Sequence, residues 1–226
     1  MNSPVTKLLA VLAGVGAFLG GAYLIRQQLG IEITQESLRS YVDEMGPLAP
    51  VIFVAAVALR WVLAIPSAVI LTVGGAVFGV TLGTLYGALG MTIMGLAQYI
   101  LVHVAGADAL RARVPARFTG ALDAARSWRG AATLAVVSAY PVGPQTPVQL
   151  AAALAGMGLV SFLASVAGGG MLRAGLFSWF GNSLLEGDGI LLVSAAIAAT
   201  VALPFLHPRS RAAVLSFFSA REEPQR

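Results

Sequence analysis

From Val51 to Val102 the sequence is apolar except for one charged side chain, Arg60. A soluble domain could not cover such a run with polar surface, because 58% of the 226 residues are hydrophobic and only 11% are charged. The run is also much longer than the roughly 20 apolar residues that one membrane crossing needs. We therefore expect an all-α integral membrane protein in which this run forms more than one helix.

Pro66 divides the apolar run, because proline lacks the backbone donor that a continuous helix requires. We predict that residues 51–65 and 67–80 are the short arms of a re-entrant hairpin and that residues 81–104 form a full crossing. Glycine recurs at every fourth position and would line one face of a helix, where a second helix can approach closely. These glycines are Gly75, Gly79, Gly83 and Gly87.

A similar pattern returns in the second half of the chain. Three prolines and a glycine between residues 140 and 147 prevent a continuous helix. They predict a second hairpin at 131–157, followed by a crossing at 159–181 that is interrupted by glycines at 168–170. Pro147 precedes Gly156 by the same interval that separates Pro66 from Gly75. This spacing predicts an internal duplication of hairpin plus crossing.

The charge of the loops predicts the topology. The N-terminus, the 105–130 loop and the tail from residue 207 are basic, which favours the cytoplasmic side. Segments 26–48 and 182–189 are acidic and are assigned to the opposite side. Each hairpin plus its crossing then joins opposite sides, so the two repeats are inverted, as in transporters with a site at the repeat interface. If the hairpin arms spanned the membrane fully, each loop would keep the side assigned to it here. Fully spanning arms therefore remain an alternative.

Further crossings flank the two repeats. Residues 8–25 fit an uncleaved first helix, with a cleaved signal peptide as the alternative. The last crossing is predicted at 190–206. Three regions follow from this division: a first helix and amphipathic segment at 1–48, a membrane domain at 49–185, and a final helix with a basic tail at 186–226.

Arg60 and Arg173 are the candidate substrate-binding residues. A charge at membrane depth costs several kcal/mol unless it is paired or hydrated, and neither 51–104 nor 131–181 contains a carboxylate. A lipid phosphate would suit a guanidinium, which binds it through two parallel hydrogen bonds. Structural alternatives remain: Arg60 could extend to a headgroup at the membrane surface, and Arg173 could bond carbonyls freed by the glycine break.

Neutral side chains complete the candidate site. Gln145, Thr146 and Gln149 could bind substrate, or they could join helices by hydrogen bonds. The positions predicted to shape the hairpins are Pro66, Gly75, Gly79, Pro141, Pro144, Pro147 and Gly156. The chain has no cysteine, and its two histidines lie far apart in sequence. We find no catalytic set, and we expect no metal, no cofactor, no enzymatic activity and no nucleic-acid partner.

These motifs resemble the DedA-like family, also called the VTT or SNARE-associated membrane-protein domain, over about residues 45–185. The first match runs from Arg60 through Pro66 to the glycine-rich segment 74–83, and the second joins the proline-rich segment to Gly156. The chain looks closer to the TVP-type branch than to the branch with a glutamate in its first hairpin. It departs from the family pattern at Pro141, where a second arginine is frequent, and at Ala152, where an asparagine is frequent.

The resemblance implies two opposed re-entrant hairpins and movement of lipids between leaflets, in many bacterial members with use of the proton gradient. We therefore predict a multi-pass protein of the bacterial inner membrane, with both termini cytoplasmic, that moves an anionic lipid such as a polyprenyl phosphate or a phospholipid. Membrane lipids are the expected partners, and homo-oligomer formation is left open. A small-anion transporter or channel and a non-transporting membrane scaffold are the alternatives.

Overall fold

The computed structural model describes residues 40, 44–62, 65–107, 124–142, 145–186 and 189–206. The predicted first crossing, most of the 26–48 segment, most of the basic loop, Pro144 and the tail from residue 207 lie outside the described residues. Two compact units are distinguished: Thr34–Val193, and the two chain ends Met1–Ile33 and Ser194–Arg226. In the second unit, the described residues 194–206 form the body of the last helix.

Regular secondary structure in the described residues is entirely helical, as predicted. The helices are α1 (Leu48–Leu59), α2 (Ser67–Val104), α3 (Trp128–Ala139), α4 (Gln145–Leu154), α5 (Leu159–Glu186) and α6 (Ile190–Leu206). By length and composition, α2 and α5 are suited to cross a membrane.

Helix α2 reverses direction at Gly79. This residue has φ 75° and ψ 179°, a backbone conformation that is essentially restricted to glycine. A Cβ added at Gly83 would lie 2.7 Å from the carbonyl oxygen of Gly74, although nine residues of straight helix would span about 13.5 Å. The rings of Phe78 and Tyr86 meet edge to face, with their centroids 5.3 Å apart. Residues 67–78 and 80–104 are therefore two antiparallel helices.

Helix α1 packs against this pair through one face. Ala49, Phe53 and Val57 are buried and recur at four-residue intervals, which places them on one side of the helix. A Cβ at Gly74 would overlap the ring of Phe53, and a Cβ at Gly90 would lie 2.6 Å from the Cβ of Val57. A helix therefore occupies the place of the predicted first arm, but it ends at Leu59 rather than at residue 65.

The second half of the chain repeats this order. Helix α3 starts with a side-chain cap, since the backbone N–H of Gly130 donates to Ser127 Oγ. A break and the short helix α4 follow, and then Gly156 with φ +81° leads into the long helix α5. A Cβ at Gly169 in α5 would lie 2.6 Å from the Cβ of Ser138 in α3, much as Gly90 contacts α1.

This order changes which residues of the two halves correspond to each other. The turn glycines are Gly79 and Gly156, whereas Gly75 lies inside a helix, so the equal proline–glycine spacing paired two different kinds of glycine. The glycine ladder also does not line one helical face, because the chain reverses at its second member. Gly75 instead allows a close approach of α5: a Cβ there would collide with the backbone of Ser178.

Three local predictions are wrong. The glycines at 168–170 do not interrupt α5, which is continuous through them. Helix α5 also continues beyond the predicted end of the crossing at residue 181 to Glu186, into the acidic segment. Pro147 lies in the first turn of α4 rather than in the break between helices. Proline is tolerated in a first turn, because the N–H groups there have no partner within the helix.

The centre of the Thr34–Val193 unit is the contact between α2 and α5, which is the most extensive in the fold. It is close because glycines remove side chains from it: a Cβ at Gly181 would collide with the carbonyl oxygen of Thr72. An apolar cluster joins these two helices to the second hairpin. Its buried members are Val102, Leu134, Ala152, Ala153, Met157, Phe162 and Val166.

Candidate functional site

Arg60 follows the last residue of α1 and points into the protein. Its side chain belongs to the face that carries Phe53 and Val57, and only 8% of the residue is exposed. The Nη2 group donates to Oε1 of Gln145 at 2.8 Å. Gln145 is the first residue of α4, so this bond joins the break after α1 to the break before α4.

Arg173 reaches the same glutamine from the middle of α5. The Nη1 group donates to Gln145 Oε1 at 3.2 Å, and Nη2 donates to the carbonyl oxygen of Pro141 at 2.8 Å. The residue is 3% exposed. The structure thus brings together three residues that lie far apart in sequence and that sequence analysis had selected: Arg60, Gln145 and Arg173.

The charges in this cluster are all positive. Two guanidinium groups share one neutral oxygen, and their repulsion at about 6 Å is about 3 kcal/mol for an effective dielectric constant of ~20. No carboxylate is available in segments 51–104 and 131–181, which contribute all three side chains. Helix α4 also begins at Gln145, so the partial positive charge of its N-terminus adds to that of the arginines.

Several hydrogen-bond donors of the cluster are unused. Arg60 Nε, Arg173 Nε and Gln145 Nε2 are buried and make no hydrogen bond with any described residue. Buried polar atoms nearly always have a partner. All three atoms are donors and carry N–H groups, so the group that would satisfy them must be an acceptor. The cluster is therefore suited to an anion.

These contacts bear on the structural alternatives for both arginines. Arg60 does not extend outward, because its guanidinium bonds the buried Gln145. Arg173 does not bond carbonyls of a broken α5, because that helix is intact and the carbonyl that it contacts belongs to Pro141. The carbonyl oxygen of Pro141, in the break before α4, thus receives a guanidinium from α5.

The other predicted positions lie around the cluster. Gln149 is fully buried one helical turn beyond Gln145, whereas Thr146 is only half-buried. Pro66 has an extended backbone and precedes α2 as its N-cap. Among the described residues, no group of three histidine, aspartate or glutamate side chains could hold a metal ion.

Two residues that the sequence did not single out hold the connection between α4 and α5 in place. Arg126 Nε donates to the carbonyl oxygen of Ala155 at 2.6 Å, and Tyr99 Oη donates to that of Met157 at 2.9 Å. Both bonds fix the turn around Gly156. Arg126 belongs to the basic segment used to predict topology, and nothing in its local sequence distinguishes it from the other arginines there. Ser138, fully buried near the end of α3, was also missed.

Comparison with protein families identifies the family of the chain. A model of the VTT domain matches residues 65–183, which is more than half of the chain. The chain belongs to the VTT domain family. No curated protein and no solved structure matches it at a significant level.

The family assignment confirms the resemblance to DedA-like proteins, which are membrane proteins generally associated with transport. Together with the long apolar helices α2 and α5, it identifies this VTT-domain protein as a membrane protein. Gln145 and Arg173 lie inside the matched segment, and Arg60 lies just before it.

Proposed function

We propose that this VTT-domain protein moves an anionic lipid between the leaflets of the bacterial inner membrane by binding its phosphate at Arg60 and Arg173. The observation that carries the proposal is the convergence of two buried guanidinium groups on Gln145, without a carboxylate and with donors left over. A phosphate monoester or diester has the charge and the acceptor oxygens that this cluster lacks. Polyprenyl phosphates and phospholipids both carry this group.

The proposed architecture is a pair of inverted repeats with re-entrant hairpins. Helices α1 and α3 have 12 residues each and α4 has 10. The longest of these arms is therefore about 18 Å long, too short for a hydrocarbon core of about 30 Å. This length favours re-entrant arms over fully spanning arms. The basic loops favour cytoplasmic termini, as the sequence predicts.

In this proposal the breaks between the short helices form the site. Arg60 belongs to the first break, and Pro141 belongs to the second. Broken helices near the midplane of inverted-repeat transporters bring helix ends and polar backbone to the substrate. Gln145 keeps the two arginines together when no phosphate is bound, and a phosphate oxygen would replace its carbonyl oxygen as their acceptor.

Leaflet exchange in proteoliposomes tests the proposal. We would measure exchange of fluorescent phospholipid and of a polyprenyl phosphate for wild type, Arg60→Ala and Arg173→Ala, with and without a pH gradient. Arg129→Ala is the matched control, because that arginine is exposed. We expect the exchange rate of Arg60→Ala and of Arg173→Ala to fall at least tenfold while both variants remain folded in the membrane. The control should keep the wild-type rate.

Other results would support the alternatives. Flux of a small anion without lipid exchange, lost in the same two variants, would identify a solute transporter that uses the same arginines. Exchange of neither lipid and flux of no anion, from folded protein, would indicate a scaffold. Unchanged exchange in both arginine variants would overturn the assignment of the site.

A further inference from the structure

A second group of buried polar side chains lies next to the arginine cluster. Ser138 on α3 and Gln149 on α4 are both 0% exposed. The hydroxyl of Ser138 and both amide atoms of Gln149 make no hydrogen bond with any described residue. Neither side chain is explained by the binding of a phosphate at Arg60 and Arg173 alone.

The contacts of α5 place Ser138 one helical turn from the arginine cluster. Arg173 contacts Pro141, and Gly169, four residues earlier in α5, packs against Ser138. Residues four apart lie on the same face of a helix, about 6 Å from each other. Gly169 lets the backbone of α3 pack directly on α5, since a Cβ there would collide with the carbonyl oxygen of Ala135. Helix α5 therefore offers no polar side chain of its own to Ser138 at this contact.

Gln149 lies one turn from the arginine cluster on α4, the helix that begins at Gln145. It follows Gln145 by one turn, on the same face of α4. One turn further from the tip, Leu134 of α3 and Ala153 of α4 join Val166 of α5 in the apolar cluster. Ser138 and Gln149 therefore lie between the arginine cluster on one side and the apolar cluster on the other.

We propose that Ser138 and Gln149 form a headgroup subsite for a neutral, hydroxyl-bearing substituent on the lipid phosphate, as in phosphatidylglycerol. This inference rests on the proposed phosphate site. A hydroxyl of the ligand both donates and accepts, which matches the amide of Gln149 and the hydroxyl of Ser138. Each of the orphaned atoms would then have a partner in the dry interior, where an unpaired polar atom is costly.

The same subsite disfavours headgroups that carry an amine. Segment 131–181, which contributes both side chains, contains no carboxylate to pair with an ammonium group. The two guanidinium groups one turn away would repel that group, because they carry like charge. The proposed substrate class is thus an anionic lipid with a hydroxylated or unsubstituted phosphate, rather than a zwitterionic lipid such as phosphatidylethanolamine.

Binding of short-chain lipids to detergent-solubilised protein tests the subsite. The probes are dihexanoyl phosphatidylglycerol, phosphatidic acid and phosphatidylethanolamine, and the variants are Ser138→Ala and Gln149→Met, which remove hydrogen-bonding atoms with little change of shape. Each lost hydrogen bond should weaken phosphatidylglycerol binding by about tenfold. Phosphatidic acid lacks the substituent, so its affinity should not change, and this unchanged binding also shows that the variant is folded.

The outcomes separate this inference from the proposed function. Equal losses for phosphatidylglycerol and phosphatidic acid would show a purely structural role for the two side chains. No loss for either lipid, or wild-type binding of phosphatidylethanolamine as tight as that of phosphatidylglycerol, would overturn the subsite. If Arg60→Ala binds both anionic lipids as wild type does, the phosphate site itself is wrong. Selective binding without leaflet exchange would leave the subsite intact and refute lipid transport.

Discussion

Replacing Gln145 by glutamate should block the site with the protein's own charge. The carboxylate oxygens would stand where Oε1 now accepts from Arg60 at 2.8 Å and from Arg173 at 3.2 Å. With the charge centres about 4 Å apart, each attraction is about 4 kcal/mol at an effective dielectric constant of ~20. Two such attractions offset the several kcal/mol that desolvation of a carboxylate costs. The variant should therefore fold and be at least as stable as wild type.

Binding of phosphate by this variant should be strongly impaired. A phosphate charge placed about 5 Å from the new carboxylate is repelled by about 3 kcal/mol at that dielectric constant, which is roughly a hundredfold loss of affinity. We expect leaflet exchange to fall by a similar factor in proteoliposomes, while the thermal midpoint in detergent is unchanged or raised.

Thr146→Glu is the matched control for Gln145→Glu. It adds the same charge to the same turn of α4, at a half-buried position about 100° further around the helix. We expect its exchange rate to stay much closer to wild type. Wild-type exchange by folded Gln145→Glu protein would refute the reasoning, because the anion would then bind elsewhere.

Two further predictions concern the turns that hold the hairpins. Gly79→Ala should cost about 1–3 kcal/mol of stability, since φ is 75° there. Its control, Gly168→Ala, should be neutral or stabilising because nothing lies within 4 Å of the added Cβ. Equal thermal midpoints of the two variants in detergent would contradict this prediction. Arg126→Gln should cost about 1 kcal/mol by removing a charged donor from the carbonyl of Ala155. Arg129→Gln is its control. A larger loss of stability in the control would show that the bond from Arg126 to the carbonyl of Ala155 does not matter.

Much of the architecture follows from the apolar pattern and its interruptions. The break near Pro66, the break between 140 and 147, and the long helices after each hairpin were all predicted. They are readable because proline removes a donor and because the apolar runs are too long for single elements. The selection of Arg60 and Arg173 rested on the cost of an unpaired charge in an apolar segment.

The positions of turns and contacts could not be read in the same way. Glycine serves both as a turn residue, at Gly79, and as a contact residue, at Gly75, and the sequence alone does not distinguish these roles. The sharing of Gln145 by two arginines depends on where α1 and α5 approach α4, which is a property of packing between distant segments. Ser138 escaped notice for the same reason, since only the contact with Gly169 places it near the arginines.

The central claim is that Arg60 and Arg173 together hold one lipid phosphate. Its most direct test is the ³¹P–¹⁵N dipolar coupling between a polyprenyl phosphate and protein with ¹⁵N-labelled arginine, at one lipid per protein in a phosphorus-free glycolipid bilayer. We expect a strong coupling from guanidinium nitrogens in hydrogen-bonding contact with the phosphate. This coupling should disappear in the Arg60→Ala, Arg173→Ala double variant and persist in Arg129→Gln. Undiminished coupling in the double variant would show that the phosphate binds other arginines and would contradict the account.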